Sequence, residues 1–488
     1  MVAWRPGPED LQRVFDEQNP WHRGGSVPAT LARDVERPLA RDLWRLLVGD
    51  GPHRYQLVLG PRRVGKTTAL YQTVRHLLRE GIEPHRVWWT RLDHPLLLQE
   101  QLGTLVQAII ARSGATADAP AYLMLDEVVY TERWDLWLKT FFDDRWPVRI
   151  AATSSATAAL REGRLESGVG RWTEQNLTPY LFNEFLDLVG QPTQVDTAET
   201  LAESIALLTP GRRADGDLAS WRRLFMLVGG FPELLTATTS RTTDEGNRLL
   251  ESQQILRSDA VERAVYKDIP QSFGVDNPML LERLLYVLAA QVTGILSPSS
   301  ICSDLGLSQP TFDRYLSYLE QAFLVFTLPN YSGSQAVVQK RGRKLYFVDG
   351  AIRNAALQRG LAPLDNPTEL GALLENLVAS TLRSLALHSG VRLYHWRDGK
   401  HEVDLVLDHP TSPLAFEIGS SPDHSRAGMR AFMERHPRFV GRCYLVAPQA
   451  AALQPSEAAS GVGTLPLDLF LQLVGRQAEA ALLARMRP

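Results

Sequence analysis

An α/β fold built on a parallel β-sheet is the prediction for this chain, and three features of the sequence lead to it. Residues 51–178 alternate short apolar runs with helical patterns, which is typical of βαβ units with helices on both faces of the sheet. A glycine-rich loop lies between the strand predicted at Tyr55–Leu59 and the helix predicted at Thr67–Arg79. An acidic pair, Asp126–Glu127, follows the buried strand predicted at Tyr122–Leu125.

The glycine loop is the strongest local signal, because it matches GxxxxGK[ST] between a strand and a helix. Its glycines let backbone N–H groups converge on phosphate oxygens, and the helix N-terminus adds a favourable dipole. Lys66 is expected to reach the β- and γ-phosphates of ATP, and the Thr67 hydroxyl to coordinate Mg²⁺. The alternative is a chance match in an ordinary loop. The nucleotide-binding residues predicted here are Gly60, Pro61, Arg62, Arg63, Val64, Gly65, Lys66, Thr67 and Thr68.

The acidic pair predicts the second half of the same site. Asp126 at the strand end is expected to hold the magnesium through water, and Glu127 to orient and polarise the attacking water. The alternative is a solvated acidic loop. Thr153, Ser154 and Ser155 close the next strand, and a polar residue there could sense the γ-phosphate, with Ser154 and Ser155 as the candidates. The alternative is an ordinary turn, in which Ser and Thr are also common.

An arginine finger is predicted at Arg171, because two nearby glycines give it a flexible approach. It could act in its own site or in that of a neighbouring subunit. Arg161 and Arg164 are competing candidates.

Length and composition indicate several globular domains. At 488 residues the chain exceeds one ordinary domain, and 44% hydrophobic content is sufficient for real cores. The predicted division is an N-terminal helical segment (1–50), a P-loop core (51–178), a helical lid (179–272), a winged helix-turn-helix (273–345) and a further α/β domain (346–488).

Net charge and cysteine usage narrow the class of protein. The net charge of −3 gives no global basic field, so nucleic acid would need a local patch. Cys302 and Cys443 lie in no metal-ligand spacing, which favours a reduced, cytoplasmic setting. The longest apolar stretch, Leu284–Leu296, is too short to span a bilayer, so no membrane association is expected.

A local basic patch is predicted in the winged helix-turn-helix. The N-terminal residues of its third helix are placed to meet bases and phosphates, and the wing carries a positive run. The alternatives are a packing module and an ordinary solvated charged face. The DNA-contact candidates are Gln309, Thr311, Arg314, Lys340, Arg341, Arg343 and Lys344.

Nearly the whole chain resembles the archaeal-type family of prokaryotic AAA+-like ATPases that have a C-terminal domain of PD-(D/E)xK nuclease-like fold. The motifs that carry the resemblance are NPW at 19–21, GPRRVGKTT at 60–68, LDE at 125–127, TSS at 153–155, GR at 170–171, PYLFNEF at 179–185, GGFP at 229–232, KLYFVDG at 344–350, LGALLENLV at 370–378 and EVD at 402–404.

The resemblance implies a nuclease-like carboxylate site at Glu375, Asp404 and Glu417. In an active enzyme of that fold these carboxylates would hold magnesium beside the scissile phosphate. This chain departs from the pattern, because Gly419 stands where the lysine is expected. Lys400 could substitute for that lysine, but the domain is expected to be inactive and kept for DNA contact or assembly.

The predicted function is therefore magnesium-dependent ATP hydrolysis by a homo-oligomer, for which a hexameric ring is one possible form. The oligomer is expected to move or reshape DNA, and branched DNA in repair or recombination is one possible setting. Two alternatives stay open. One is a signalling or defence ATPase that switches its assembly state with nucleotide. The other is an ATP-regulated nuclease, against which Gly419 argues.

Overall fold

The computed structural model describes residues 7–49, 53–155, 169–192, 194–213, 218–232, 234–235, 245–332, 342–419, 424–450, 452–456 and 461–485. These residues form two compact units that divide between Leu177 and Thr178, and the end of the last helix, from Leu482, is grouped with the first unit. The finer division into five segments remains a prediction.

The first unit is built on a five-stranded parallel sheet, as the βαβ rhythm predicts. Its strand order is β2-β3-β4-β1-β5, so β4 lies between β1 and β3. Strands β1 and β3 are buried along their whole length, because helices cover both faces. The strands are β1 Tyr55–Leu59, β2 Val87–Arg91, β3 Ala121–Asp126, β4 Val148–Ser154 and β5 Trp172–Asn176.

Among the described residues, seven α-helices accompany this sheet, and the first of them cover its edge strand β2. The Asn19 side chain donates to the Trp89 carbonyl at 3.1 Å and accepts from the Trp89 N–H at 2.7 Å, while Trp21 Nε1 donates to the Val87 carbonyl. Asn19 and Trp21 thus cover edge strand β2, whose backbone groups would otherwise lack partners. The helices are α1 Pro8–Gln18, α2 Trp21–Gly24, α3 Ala29–Ala32, α4 Pro38–Val48, α5 Lys66–Arg79, α6 Leu102–Ser113 and α7 Trp134–Asp143.

The second unit begins with helices, in the region where the sequence predicts a helical lid (179–272). The pattern at Gly246–Val265 predicts one helix, but the structure changes from α- to π-helix at Arg257. The helices are α8 Phe182–Leu188, α9 Leu201–Leu207, α10 Ala219–Val228, α11 Glu245–Leu256 and α12 Ile269–Phe273, with π-helical turns at Arg257–Glu262 and Ala264–Asp268.

Three helices and a two-stranded antiparallel sheet follow. Ser308 caps the third helix, where its hydroxyl accepts the Thr311 N–H at 3.3 Å. The elements are α13 Pro278–Ala290, α14 Pro298–Leu305, α15 Gln309–Gln321, β6 Val325–Leu328 and β7 Lys344–Phe347.

The second unit ends in a mixed five-stranded sheet with the order β12-β11-β10-β9-β8. Strands β8, β9 and β10 pair antiparallel, and β10, β11 and β12 pair parallel. The elements are α16 Gly350–Leu357, α17 Pro367–Ser389, β8 Arg392–Asp398, β9 His401–Asp408, β10 Leu414–Ile418, α18 Ala427–Arg435, β11 Cys443–Ala447, β12 Val462–Pro466 and α19 Leu467–Arg485.

Helix α17 is the longest described helix and forms part of the core of the second unit. Its length and composition would allow it to cross a membrane, but half of its most apolar window is buried inside the protein. Leu373, Val378 and Leu382 on this helix pack with Leu405 and Phe416 of the mixed sheet. This packing explains its apolar composition.

Candidate functional site

The strand order of the first sheet brings the predicted nucleotide-binding residues together. Because β4 lies between β1 and β3 and all three are parallel, their carboxyl ends meet at one edge. The loop from Gly60 follows β1, Asp126 ends β3 and Ser154 ends β4. Ligands of open α/β sheets bind at this edge.

The predicted phosphate loop, Gly60 to Thr68, connects β1 to α5 in a compact turn. Gly65 caps α5 with a backbone φ of 92°, which residues other than glycine rarely adopt. A Cβ at Gly60 would lie 2.1 Å from the Leu177 carbonyl oxygen, so only glycine fits there. The buried ammonium of Lys66 donates to the Gly60 and Pro61 carbonyls at 3.0 and 2.9 Å, which holds its charge within the loop.

Asp126 is buried and accepts hydrogen bonds from two hydroxyl groups. Thr67 Oγ1 donates to its Oδ2 at 2.8 Å, and Thr153 Oγ1 donates to its Oδ1 at 2.6 Å. Burial and the neighbouring Glu127 charge raise the pKa of Asp126 to about 6, while the two hydroxyl bonds and Lys66 oppose that rise. The carboxyl group is therefore mostly ionised at neutral pH.

The Thr67 hydroxyl and the Asp126 carboxylate fit a magnesium ion. They present hard oxygen donors side by side, 2.8 Å apart, at the start of α5. Mg²⁺ prefers such donors, usually one or two from the protein with water and phosphate completing its shell. Both residues are the ones that the sequence predicts for this role.

Glu127 is held in position from β4. Its backbone has a φ of 56°, in the left-handed region, and its N–H donates to Thr153 Oγ1 at 2.9 Å. Its carboxylate accepts from the Ser155 hydroxyl at 3.0 Å and from the Ser155 N–H at 3.3 Å. Ser155 therefore orients Glu127, whereas the predicted γ-phosphate contact of Ser154 and Ser155 stays a prediction.

Thr153 has a role that the sequence analysis does not predict. It belongs to the TSS motif, for which the sequence predicts a contact with the γ-phosphate and not with the acidic pair. Its hydroxyl bonds both acids of the pair. A signal was present, because a buried carboxylate at the end of β3 needs donors and the next strand in the sheet has to supply them.

Arg171 lies at the amino ends of the strands of the first sheet, whereas the phosphate loop lies at their carboxyl ends. It precedes β5, whose first residue pairs with Tyr55 at the start of β1, and its guanidinium binds both carboxylate oxygens of Asp143 at 2.8 and 3.0 Å. This placement contradicts a role for Arg171 in its own chain's site. A role in a neighbouring subunit stays a prediction. The competitors Arg161 and Arg164 lie outside the described residues.

The second unit brings together Glu375, Asp404 and Glu417, the carboxylates of the predicted nuclease-like site, and adds a lysine. Lys344 Nζ lies 2.8 Å from Glu375 Oε1, 2.7 Å from Glu402 Oε1 and 2.8 Å from Asp404 Oδ1. The prediction that Lys344 contacts DNA is wrong, since its side chain is 3% exposed. It is buried because β7, the strand that it begins, lies inside the fold, where Lys344 pairs with Leu328 and forms a bridge with Ile295.

Charge and burial shift the pKa values of Glu375, Glu417 and Lys344 in this cluster. Burial and Asp404 raise the pKa of Glu375 to about 8 and that of Glu417 to about 7. Burial alone would lower the pKa of Lys344, but the surrounding carboxylates hold it well above its usual value. Lys400 is exposed in the turn between β8 and β9, so the structure does not place it as the predicted substitute for the missing lysine.

The remaining DNA-contact candidates surround Asp313 on α15. Gln309 is exposed and donates to Asp313 at 3.2 Å, and Arg343 forms an ion pair with it at 3.4 Å. Thr311 is half-buried next to the helix cap, and Arg314 is exposed. Lys340 and Arg341 lie outside the described residues.

Family comparisons match three consecutive parts of the chain. An AAA domain matches residues 52–186, and two domains of unknown function match residues 220–362 and 370–467. An uncharacterized protein of Methanocaldococcus jannaschii is 26% identical over 389 residues, 78% of each chain. An uncharacterized protein of Haemophilus influenzae is 24% identical over 331 residues, which is 66% of this chain and 74% of that protein.

Among solved structures, the chain is similar to the Holliday junction branch migration motor RuvB of Thermotoga maritima, with a TM-score of 0.30 and 15% identity over 70% of this chain and 92% of that one. It is also similar to the Orc1 protein of Aeropyrum pernix, solved in complex with DNA, with a TM-score of 0.30 and 14% identity over 73% and 96% of the two chains. The assignment rests on the AAA domain match and on the loop geometry. Residues 52–186 of this chain are thus similar to AAA domains.

Proposed function

We propose that the chain binds ATP with Mg²⁺ at the phosphate loop and hydrolyses it. The observation that carries the proposal is the buried Asp126 carboxylate, which two hydroxyl groups hold beside the lysine of a glycine loop. Thr67 and Asp126 would hold the magnesium ion, which when bound neutralises phosphate charge. Lys66 would leave its two loop carbonyls to pair with phosphate oxygens, an exchange of weak partners for charged ones.

Glu127 is the proposed base of the hydrolysis. Its carboxylate would accept a proton from the water that attacks the γ-phosphorus, as the bond to the β-phosphate oxygen breaks and ADP and phosphate form. Its bonds to Ser155 leave the other carboxylate oxygen to orient that water. Because Thr153 fixes the Glu127 backbone as well, the acid would need little reorganisation before the reaction.

Nucleotide binding and turnover test this proposal directly. Titration with a fluorescent ATP analogue in Mg²⁺ should show binding to the wild-type chain and a loss of at least about tenfold in affinity for Lys66→Ala, which removes a charge that faces the phosphates. Lys139→Ala, at a half-buried lysine on α7, is the matched control. If the wild-type chain binds neither ATP nor ADP in Mg²⁺, the proposal fails.

We further propose that ATP turnover serves an oligomeric motor or remodeller that acts on DNA. The support is the exposed first half of α15, which presents Gln309 and Arg314, with Arg343 beside it. Three helices followed by an antiparallel pair of strands are the elements of a winged helix, in which the third helix meets the major groove. Asp313 within this surface would have to exchange its bonds to Gln309 and Arg343 for solvent when phosphate approaches.

The DNA proposal is tested by turnover and binding with duplex, single-stranded and four-way junction DNA. Stimulated ATP turnover and salt-dependent binding are expected, and Arg314→Ala should weaken binding and lower the salt slope by about 1. Arg283→Ala on α13, also an exposed arginine, is the control. Absence of both binding and stimulation at low salt would refute DNA action. Slow hydrolysis with ATP-dependent assembly would then favour the nucleotide switch.

A further inference from the structure

The Lys344 ammonium lies at the centre of the carboxylate cluster of the second unit. Glu375 from α17 and Glu402 and Asp404 from β9 each place an oxygen 2.7–2.8 Å from Lys344 Nζ. These three oxygens use all three protons of the ammonium group. A buried lysine on one strand therefore unites acids from two other elements.

Glu375 and Asp404 accept further hydrogen bonds within the fold. Tyr346 donates to Glu375 at 2.8 Å, and the Ile418 N–H donates to the second oxygen of Asp404 at 2.9 Å. These bonds consume lone pairs that a metal ion would need. Glu417 accepts from His424 at 3.4 Å with one oxygen, while the other finds no hydrogen-bond partner among the described residues.

The backbone fixes the lysine in this place. Lys344 pairs with Leu328 in the antiparallel sheet and forms a bridge with Ile295 on its other side. The Leu296 N–H donates to the Arg343 carbonyl at 2.8 Å, and the Leu345 N–H donates to the Gly294 carbonyl at 2.9 Å. These bonds fix the backbone of Lys344, so the ammonium can leave the cluster only by rotation of the lysine side chain.

A divalent cation does not fit the cluster in this arrangement. Mg²⁺ requires oxygens at about 2.0–2.1 Å in near-octahedral geometry. The oxygens of Glu375 and Asp404 that would bind it converge on the Lys344 nitrogen instead. A metal ion at the same oxygens would lie against the ammonium, where like charges at short range in a buried site repel strongly. The residues present thus disagree with the magnesium site that the nuclease-like resemblance implies.

We propose that Lys344 is the resident cation of this cluster and takes the place of a divalent metal, so that the second unit binds no metal there and cuts no phosphodiester. The ammonium balances part of the acidic charge and joins β7 to α17 and β9. Two residues after Glu417, the nuclease pattern has a lysine, but this chain has Gly419. This difference is consistent with a site that does not cleave phosphodiesters. This inference is independent of the ATPase function of the first unit.

The metal response of Lys344→Met tests the proposal. In the full chain without nucleotide, the variant should melt several degrees below wild type in EDTA, because it leaves three acids without their cation. Millimolar Mn²⁺ should raise its melting temperature by about 5 °C or more relative to EDTA, since the freed carboxylates can then hold the ion. Wild type and Lys400→Met, which changes an exposed lysine near Glu402, should not respond. A folded Lys344→Met variant without a Mn²⁺ response would overturn the proposal.

Mn²⁺ binding to the wild-type chain decides the question even if Lys344→Met does not fold. Free Mn²⁺ is measured by electron paramagnetic resonance in the absence of nucleotide. Wild type and Asp404→Asn should bind the same amount of Mn²⁺, and this result would support the proposal. Binding by wild type that Asp404→Asn abolishes would refute it. Mn²⁺-dependent cleavage of DNA by wild type that is lost in Asp404→Asn would refute it as well.

Discussion

Replacing Thr153 by valine should uncouple the two acids of the phosphate site while keeping the shape of the side chain. The Thr153 hydroxyl donates to Asp126 Oδ1 at 2.6 Å and accepts the Glu127 N–H at 2.9 Å. Thr153 is fully buried, so water cannot replace either bond. Valine is close in volume, and the variant therefore tests these two bonds and not the packing of β4.

The expected loss follows from these two bonds. A hydrogen bond to a charged group contributes about 1.5–3 kcal/mol, and a buried N–H left without an acceptor costs about 1–3 kcal/mol. The two losses occur at one site, and small shifts of the neighbouring groups can recover part of each, so they should not add in full. We therefore expect the free energy of unfolding to fall by about 2–4 kcal/mol. The Thr153 bond also opposes the rise of the Asp126 pKa, so in the variant this pKa should move above about 6. More of the carboxyl group is then protonated at pH 7, and affinity for Mg²⁺ with ATP should fall.

Urea denaturation monitored by tryptophan fluorescence measures the first effect, and ATP titration in Mg²⁺ between pH 6 and pH 8 measures the second. Thr90→Val is the matched control, because Thr90 is a buried threonine on β2 whose hydroxyl has no hydrogen-bond partner among the described residues. Its replacement should be neutral or slightly stabilising. If Thr153→Val matches Thr90→Val in both stability and affinity, the proposed coupling through the hydroxyl is wrong.

Four further variants test other parts of the molecule. Glu127→Gln should bind ATP at near wild-type affinity and hydrolyse it at least about a hundredfold more slowly in a phosphate-release assay; equal turnover would exclude it as the base. Arg171→Ala should lower turnover without loss of folding, and mixing it with Lys66→Ala should restore part of the activity only if the arginine acts between subunits. Asn19→Ala should cost about 2–4 kcal/mol in urea denaturation, because the edge strand loses a donor and an acceptor; an unchanged midpoint would contradict this. Burial lowers the pKa of His395 from 6.5 to about 4, so unfolding free energy should fall as the pH decreases between these values, by about 3 kcal/mol in total, and His395→Gln should lack this slope.

The parts of the site that lie close in sequence could be predicted from it. The phosphate loop is a local structure, because one strand, one glycine turn and one helix start define it. The pair Asp126–Glu127 is recognisable for the same reason, since it ends a buried apolar run. The predicted strand Tyr55–Leu59 has the observed bounds, because it is a short apolar run that ends at the glycine loop.

Features that depend on strand order could not be predicted in this way. The order of the first sheet inserts β4 between β1 and β3, and only this order brings Thr153 to Asp126. The pairing of β5 with β1 also places Arg171 at the amino ends of the strands, away from the phosphate loop. The glycines before Arg171 had suggested that its side chain could reach the phosphates. Neither fact is visible without knowing which strands are neighbours, because chain order and sheet order differ.

Lys344 shows how a charge run can mislead and which signal would have corrected it. The run from Lys340 to Lys344 suggests an exposed wing, but Lys344 begins the strand KLYF, in which side chains alternate between two faces. Residues 344 and 346 therefore share a face, and both of them bond Glu375 in the structure. A lysine on the inner face of a strand must be paired with acids, since an unpaired buried ammonium is too costly. Glu375 and Asp404, which belong to the predicted nuclease-like motif, are such acids. A single buried ion cluster therefore accounts for both Lys344 of the predicted wing and the predicted acidic site that lacks its lysine.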